Sequence, residues 1–229
     1  MRRSFKPDFK RRPRGSLTRE QVVEAALALA DRRGLEALTI ANLADQLGCG
    51  VMTIYGYVNS KEELLDAIAQ RGIRDLRLQP PLPITADGIL LAWGRALHET
   101  LVQHPALPFL FLVRAVVGPG IVRGIELLLT RLTKAGMPTE GAVRAIYAVL
   151  IYATGFAAWE IPRTVLQKPE QYAATWRREF AALPPVDFPL VSGVLSELSQ
   201  VAGAAQFELG LTSLAFGLAS ARGLSRADS

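Results

Sequence analysis

Thr18, Thr39 and Ser60 each stand directly ahead of a run in which apolar residues recur at helical spacing. That recurrence restricts the first third of the chain to short helices. Thr18 with Gln21, and Ser60 with Glu63, form the capping-box pattern, in which each side chain satisfies a backbone donor of the other residue. Val22, Ala26, Leu29 and Ala30 make the first apolar stripe. It stops at Arg32-Arg33-Gly34, where cations meet the negative end of the helix dipole and glycine allows the exit. In the second helix, IANLADQL, the residues Ile40, Leu43, Ala44 and Leu47 face inward, and Gly48 suits the left-handed turn that follows. A third, short helix is predicted over Val51–Val58 and a fourth through KEELLDAIAQRGIRDL, as far as Leu76. Sustained period-two alternation and Asn-Gly or Asp-Gly hairpins are missing from the sequence, so the fold class is all-α.

QPPLPIT, with three prolines between Pro80 and Pro83, breaks the pattern and reads as a boundary between two lobes. The predicted organisation is an arm over residues 1–16, a first lobe over 17–78 and a second over 84–229. Beyond the boundary the helices are longer and less polar. Ala86–His104 is ended by Pro105, residues 106–117 are strongly apolar, and Val122–Ala135 is stopped by Gly136 and Pro138. Thr139 is expected to cap EGAVRAIYAVLIYATGFAAWE, closed by Pro162. A helix or loop near Gln171–Ala182 precedes the breaker LPPVDFP, and AAQFELGLTSLAFGLASA is the last helix. The total is about nine or ten helices, well above the usual one-third helical content.

With 229 residues, half of them hydrophobic, the chain has enough apolar surface to bury a sizeable core. Its net charge of +5 is unevenly placed: residues 1–14 carry seven basic side chains against Asp8 alone. A basic arm ahead of a folded body holds phosphate backbone or reaches into a minor groove, and Arg11, Arg12 and Arg14 are its nearest cations to the first helix. A solubilising tail has the same composition. The longest uncharged run, Ala145–Trp159, has 15 residues, short of the roughly 20 that span a bilayer. MRRSFKPDFKRRPRG has no apolar segment behind it, unlike a secretory signal. Cys49 is the one cysteine, which rules out an internal disulfide and fits a reducing, cytoplasmic setting.

Residues 39–57 have the dimensions of a helix-turn-helix, two short helices joined by a tight turn centred on LGCG. In that unit the second helix enters the major groove while the first crosses the backbone. Ala44, Leu47, Val51, Ile54 and Val58 are assigned to the buried side, leaving Gly50, Met52, Thr53, Tyr55, Gly56 and Tyr57 outward. Hydroxyls of Thr53, Tyr55 and Tyr57 can donate to phosphate oxygens, and Met52 and Thr53 can press on thymine methyls. Lys61, opening the next helix, is placed to pair with a phosphate.

The stretch LTREQVVEAALALADRRGLEALTIANLADQLGCGVMTIYGYVNSKEELLDAI resembles the N-terminal module of the tetracycline-repressor (TetR) family of bacterial transcription regulators. The carriers are LT-x-x-x-LA-x-x-LG over residues 38–48, then T-I-Y-x-Y-V-x-S-K-x-x-L over 53–64. More loosely, HPALPFLFL, LTKAGMPTEGAVRAIYAVLIYATGF and FELGLTSLAFGL resemble the family's helical regulatory domain. The resemblance implies a homodimer on a palindromic operator, released by a small molecule bound in the C-terminal lobe. By position, Thr53, Tyr55, Tyr57 and Lys61 match the family's DNA-contacting residues, and Thr39 its second-helix cap near phosphate. Ile40 and Ala41 stand where the tetracycline repressor has threonine and arginine. Gly50, Val51 and Met52 replace a polar stretch, and Gly56 replaces a tryptophan, so the operator must differ. The histidine that holds magnesium-bound tetracycline in the namesake is not carried over, and no cofactor or metal is assigned.

Two helices are candidates for a dimer interface. Small residues in Gly141–Trp159, with Ala148, Tyr152 and Gly155 on overlapping faces, permit close approach. Ala204–Ala221 offers Phe207, Gly210, Leu211, Leu214 and Leu218. Ordinary core helices of a monomer would share this composition. For the effector, His98, His104, Phe111, Arg114, Tyr147, Phe156, Trp159 and Trp176 are candidate lining residues, which points to an apolar or aromatic ligand. His98 and His104 are six residues apart, off one helix face, and make a poor metal pair. The fourth helix is the expected lever between ligand and DNA.

An enzyme would need a constellation the sequence lacks: a phosphate-binding glycine loop in strand context, Gly-x-Ser-x-Gly, a carboxylate cluster, or metal-ligand spacing. A basic protein that coats membrane surfaces or nucleic acid without effector control is the other reading. Cys49, in the turn itself, is a redox switch or a small packing residue.

Overall fold

The computed structural model describes residues 17–74, 76, 78, 80–165, 169–198 and 203–221. The basic arm, with Arg11, Arg12 and Arg14, lies outside the described residues. The first four helices are α1 (Arg19–Arg33), α2 (Ile40–Leu47), α3 (Val51–Tyr55) and α4 (Lys61–Ile73), with a 3-10 turn at Leu35–Ala37. The second group is α5 (Ala86–Gln103), α6 (Leu107–Val113), α7 (Pro119–Lys134), α8 (Thr139–Thr164), α9 (Pro169–Ala181), α10 (Pro189–Gly193), α11 (Leu195–Leu198) and α12 (Ala204–Ser220). No strand occurs among the described residues.

Local chemistry sets the N-terminal boundaries. At α1 both capping-box bonds form: Gln21 N–H donates to Thr18 Oγ1 at 3.2 Å, and Thr18 N–H to Gln21 Oε1 at 2.9 Å. Thr39 caps α2 through the Asn42 N–H at 3.1 Å. Gly48 ends that helix at φ 64°, ψ 36°, a backbone conformation in which a side chain is strained. The α4 box is shifted by one residue. Ser60 Oγ accepts the Glu63 N–H, but the Glu63 carboxylate takes the N–H of Asn59 at 2.8 Å rather than that of Ser60. That bond, then Arg19, holds the Glu63 carboxyl below its usual range.

α3 ends three residues earlier than the apolar pattern predicts, and Val51 is exposed rather than buried. Five residues give the helix little more than one turn, and Ile54, with Val58 just beyond the helix, is sealed from solvent beneath it. In the second lobe, α8 begins at Thr139 with Pro138 in the cap position, so no Thr139 side-chain cap forms. The helix then runs through Pro162 instead of stopping there. One ladder bond is lost close to the helix end, and the turn is held by buried Glu160 and Ile161. The short helices α10 and α11 follow the LPPVDFP breaker and have no apolar period to announce them.

α8 is the axis of the second lobe, packed on α5, α6, α7 and α12. Its length and composition would suffice to cross a bilayer, yet Ala142, Ala145, Ile146, Val149, Ala153, Ala157 and Ile161 are buried against other helices. A bidentate ion pair staples α5 to α12, with Arg95 Nη2 2.7 Å from Glu208 Oε2.

Candidate nucleic-acid interface

The α2–α3 unit is bolted to α1 by polar contacts at its rim. Gln46 donates to the Ala25 carbonyl and accepts from Arg32, while Asn42 Nδ2 donates to the Ala37 carbonyl at 2.7 Å. With its scaffold side fixed in this way, α3 turns a continuous surface to solvent. Gly50, Val51, Met52, Thr53, Tyr55 and Gly56 are all exposed, Met52 at 80 % and Tyr55 at 45 %. The Thr53 and Tyr55 hydroxyls have no hydrogen-bond partner among the described residues, so both are available to a ligand. Thr39 is exposed at the head of α2, and Lys61 is half-buried at the head of α4.

Tyr57 does not join this face. It is half-buried, and its hydroxyl donates to the Leu17 carbonyl at 2.8 Å, tying the start of α1 to the turn after α3. Two residues beyond Tyr55, the chain has already left the helix, which swings the ring inward. Tyr57→Phe is therefore expected to cost about 1 kcal/mol of folding stability, the net value of a typical hydrogen bond. Chemical denaturation would measure that loss.

The candidates in the second lobe do not share one place. His98, Phe156 and Trp159 come together: the His98 ring stacks on Phe207 at 3.8 Å, edges Phe156 at 5.9 Å, and bonds through Nε2 to Glu160 Oε2 at 2.6 Å. Phe156 lies 6.0 Å from Trp159. Phe111 is half-buried on α6 against the core, and Trp176 stacks on Phe180 of α9 at 4.7 Å. Tyr147 points outward from α8, away from this cluster.

His104 and Arg114 lie at the junction of the lobes instead. His104 Nδ1 meets Asp31 Oδ2 of α1 at 2.9 Å, and the other Asp31 oxygen accepts the Ala106 N–H at 3.1 Å. Ala106 is the cap residue of α6 and has no side chain to serve it, so an α1 carboxylate supplies the acceptor. At the far end of α6, Arg114 donates to Asp66 of α4 at 2.8 Å and 3.0 Å. Between them Gly72 lets Leu107 approach α4, where an added Cβ would lie 2.2 Å from Leu107 Cδ1. Both ends of α6 are thus tied to the first lobe by Asp31 and Asp66, acids that sequence spacing could not pair with their partners.

The dimer candidates also divide. Phe207 and Leu211 are 2 % and 0 % exposed, core residues of this chain. The Tyr152 hydroxyl donates to the Phe207 carbonyl at 2.9 Å, joining α8 to α12 internally. Ala148, Leu214 and Leu218 are half-buried, whereas Gly155 is exposed. The face left open is the next one round: Val143, Tyr147, Ile151 and Gly155 recur every fourth residue on α8, with Leu209 and Phe216 exposed on α12.

An exposed short helix on a capped helix-turn-helix, beside a larger all-helical lobe, is an arrangement that family comparison can test. Residues 22–68 match the model of bacterial regulatory proteins of the tetR family, and residues 85–222 match the tetracyclin repressor-like C-terminal domain. The chain belongs to the TetR family. It is a transcriptional regulator, not an enzyme. Among relatives of this TetR-family chain, HTH-type transcriptional repressor DrrR1 of Streptomyces coeruleorubidus is 34 % identical over 202 residues, covering 83 % of this chain and 72 % of that protein. The Streptomyces coelicolor TetR family protein ActR, solved in complex with actinorhodin, superposes with a TM-score of 0.78 at 24 % identity over 93 % of this chain and all of ActR. A possible TetR family transcriptional regulator from Streptomyces coelicolor A3(2) does so at 0.76 and 26 % identity, covering 90 % of this chain and 100 % of that one.

Proposed function

We propose that this TetR-family regulator is a cytoplasmic repressor that binds a palindromic operator as a homodimer and is released by a small apolar or aromatic effector. The observation that carries the reading is the α3 face, whose free Thr53 and Tyr55 hydroxyls stand beside exposed Met52 and Gly50. The basic arm would add phosphate contacts, and Thr39 and Lys61 would flank the groove. DrrR1 is a repressor and ActR has been solved with actinorhodin, which supports both the mode and the effector class. The open stripe of α8 and α12 supports a four-helix interface between two copies.

Release requires the effector to prefer a dimer whose recognition helices are mis-spaced, and every 1.4 kcal/mol of that preference is tenfold in operator affinity. The route runs through α6, since its two ends are tied to α1 and α4 of the DNA-binding lobe. Asp31→Ala strips the acceptor from His104 and from the Ala106 N–H, and is expected to cost about 2 kcal/mol of stability. The same change should shrink the affinity ratio between effector-free and effector-bound protein. The proposal itself is tested by selecting random duplexes with the full chain, then footprinting the selected site with and without planar aromatic compounds. Enrichment of an inverted repeat, protected by protein and freed by a compound, is the expected result. Retention of salt-sensitive binding to anionic vesicles with no enriched sequence would favour a surface-coating protein instead.

A further inference from the structure

Four arginines of the described residues are half-buried: Arg71 and Arg114 have a carboxylate beside them, and Arg131 and Arg163 do not. In each, Nε is buried with no acceptor. A guanidinium has five donors and stays charged, so withdrawing it from water without a counter-ion is costly. What distinguishes Arg163 is its surroundings. Its guanidinium carbon lies 4.5 Å over the Trp159 ring and 5.7 Å from the Tyr172 ring, so aromatic faces from α8 and α9 flank one cation. One Nη1–H donates to the Trp159 carbonyl at the end of α8, where a cation also complements the helix dipole. That leaves most of the fork unused.

The aromatic surface continues in both directions from this point. On α9, Tyr172, Trp176 and Phe180 recur every fourth residue and are only half-buried, Trp176 stacked on Phe180 and Tyr172 edge-on to Trp176. Among the described residues none of α9 is buried, so this helix presents an aromatic stripe that they leave partly open. On the other side Trp159 leads through Phe156 to the buried His98–Glu160 pair. A planar ring system would find stacking partners here, and the bound molecule would supply the negative charge that Arg163 lacks.

We propose that Arg163 is the anion-recognition residue of the effector site, and that the effector is an aromatic compound bearing a carboxylate or an equally acidic oxygen. The inference rests on the reading of the C-terminal lobe as an effector-binding domain, and it narrows that reading to one charge class. Neutral aromatics would stack without engaging the guanidinium, and cationic ones would be repelled by it.

The test uses the full chain and two probes of matched shape, anionic 2-naphthoate and neutral 2-naphthamide, titrated calorimetrically. The expected result is at least tenfold tighter binding of 2-naphthoate to the natural protein. Arg163→Gln should bring 2-naphthoate down to the affinity of 2-naphthamide while leaving the amide unchanged. Equal binding of the two probes, no binding of either, or an undiminished preference in Arg163→Gln would overturn the proposal. The probe pair needs no variant, so the first comparison stands even if Arg163→Gln fails to fold. Failure to enrich any operator from random duplexes would sink the regulator mechanism separately, without altering these affinities.

Discussion

Removing two hydroxyls from α3, by Thr53→Ala with Tyr55→Phe, is expected to weaken operator binding roughly 100-fold, about 3 kcal/mol for two bonds to charged phosphate oxygens. Neither hydroxyl has a partner within the chain among the described residues, and both residues are exposed. Stability should therefore change by no more than about 0.5 kcal/mol, as for surface substitutions generally. The comparison with Tyr57→Phe is the informative part. Two tyrosines separated by one residue divide the work, Tyr55 toward solvent and Tyr57 toward Leu17. The Tyr55 change should reduce affinity with stability kept, and the Tyr57 change should reduce stability first. Anisotropy titrations of a selected duplex, paired with denaturation curves, would read both quantities.

The second large effect concerns assembly. Ile151 is 68 % exposed at the middle of the open stripe on α8. In a two-fold interface that residue meets its own copy or a near neighbour, so Ile151→Asp places two carboxylates in an apolar seam. The expected outcome is a folded monomer by sedimentation, with operator affinity down at least 100-fold. Joint binding of two half-sites makes the second contact intramolecular, and dissociation forfeits that gain, roughly 100-fold or more. Leu211→Asp is the contrasting variant, since Leu211 is fully buried and its replacement should unfold the lobe rather than split a dimer.

Much of the first lobe was legible in the sequence because its boundaries are set by chemistry between near neighbours. Thr18 with Gln21, Thr39 with Asn42, and Gly48 after Leu47 all act within four residues, and each does so in the structure. The bond of the Tyr57 hydroxyl was not legible in the sequence, because its partner, Leu17, lies 40 residues away. The partners of His104 and Arg114 were hidden for the same reason. His104 and Arg114 suit a ligand pocket by composition, but Asp31 and Asp66 claim them across the lobe junction. On α8 and α12 the apolar residues occupy more than one face. Periodicity therefore could not say which stripe this chain buries, and the structure gives Phe207 and Leu211 to the core and leaves Val143, Tyr147 and Ile151 open. Arg163 carried no sequence signal at all. Its meaning comes from what is missing around it.

The exposed side of Val51–Tyr55 is proposed to lie in a groove, and a photo-crosslinking residue at position 52 reports that contact directly. Bound to its selected duplex and irradiated, the protein should crosslink to bases in both halves of the repeat, through major-groove atoms and at symmetry-related positions. Tight, sequence-selective binding with no crosslink from position 52, and with crosslinks arising from another surface, would contradict that placement.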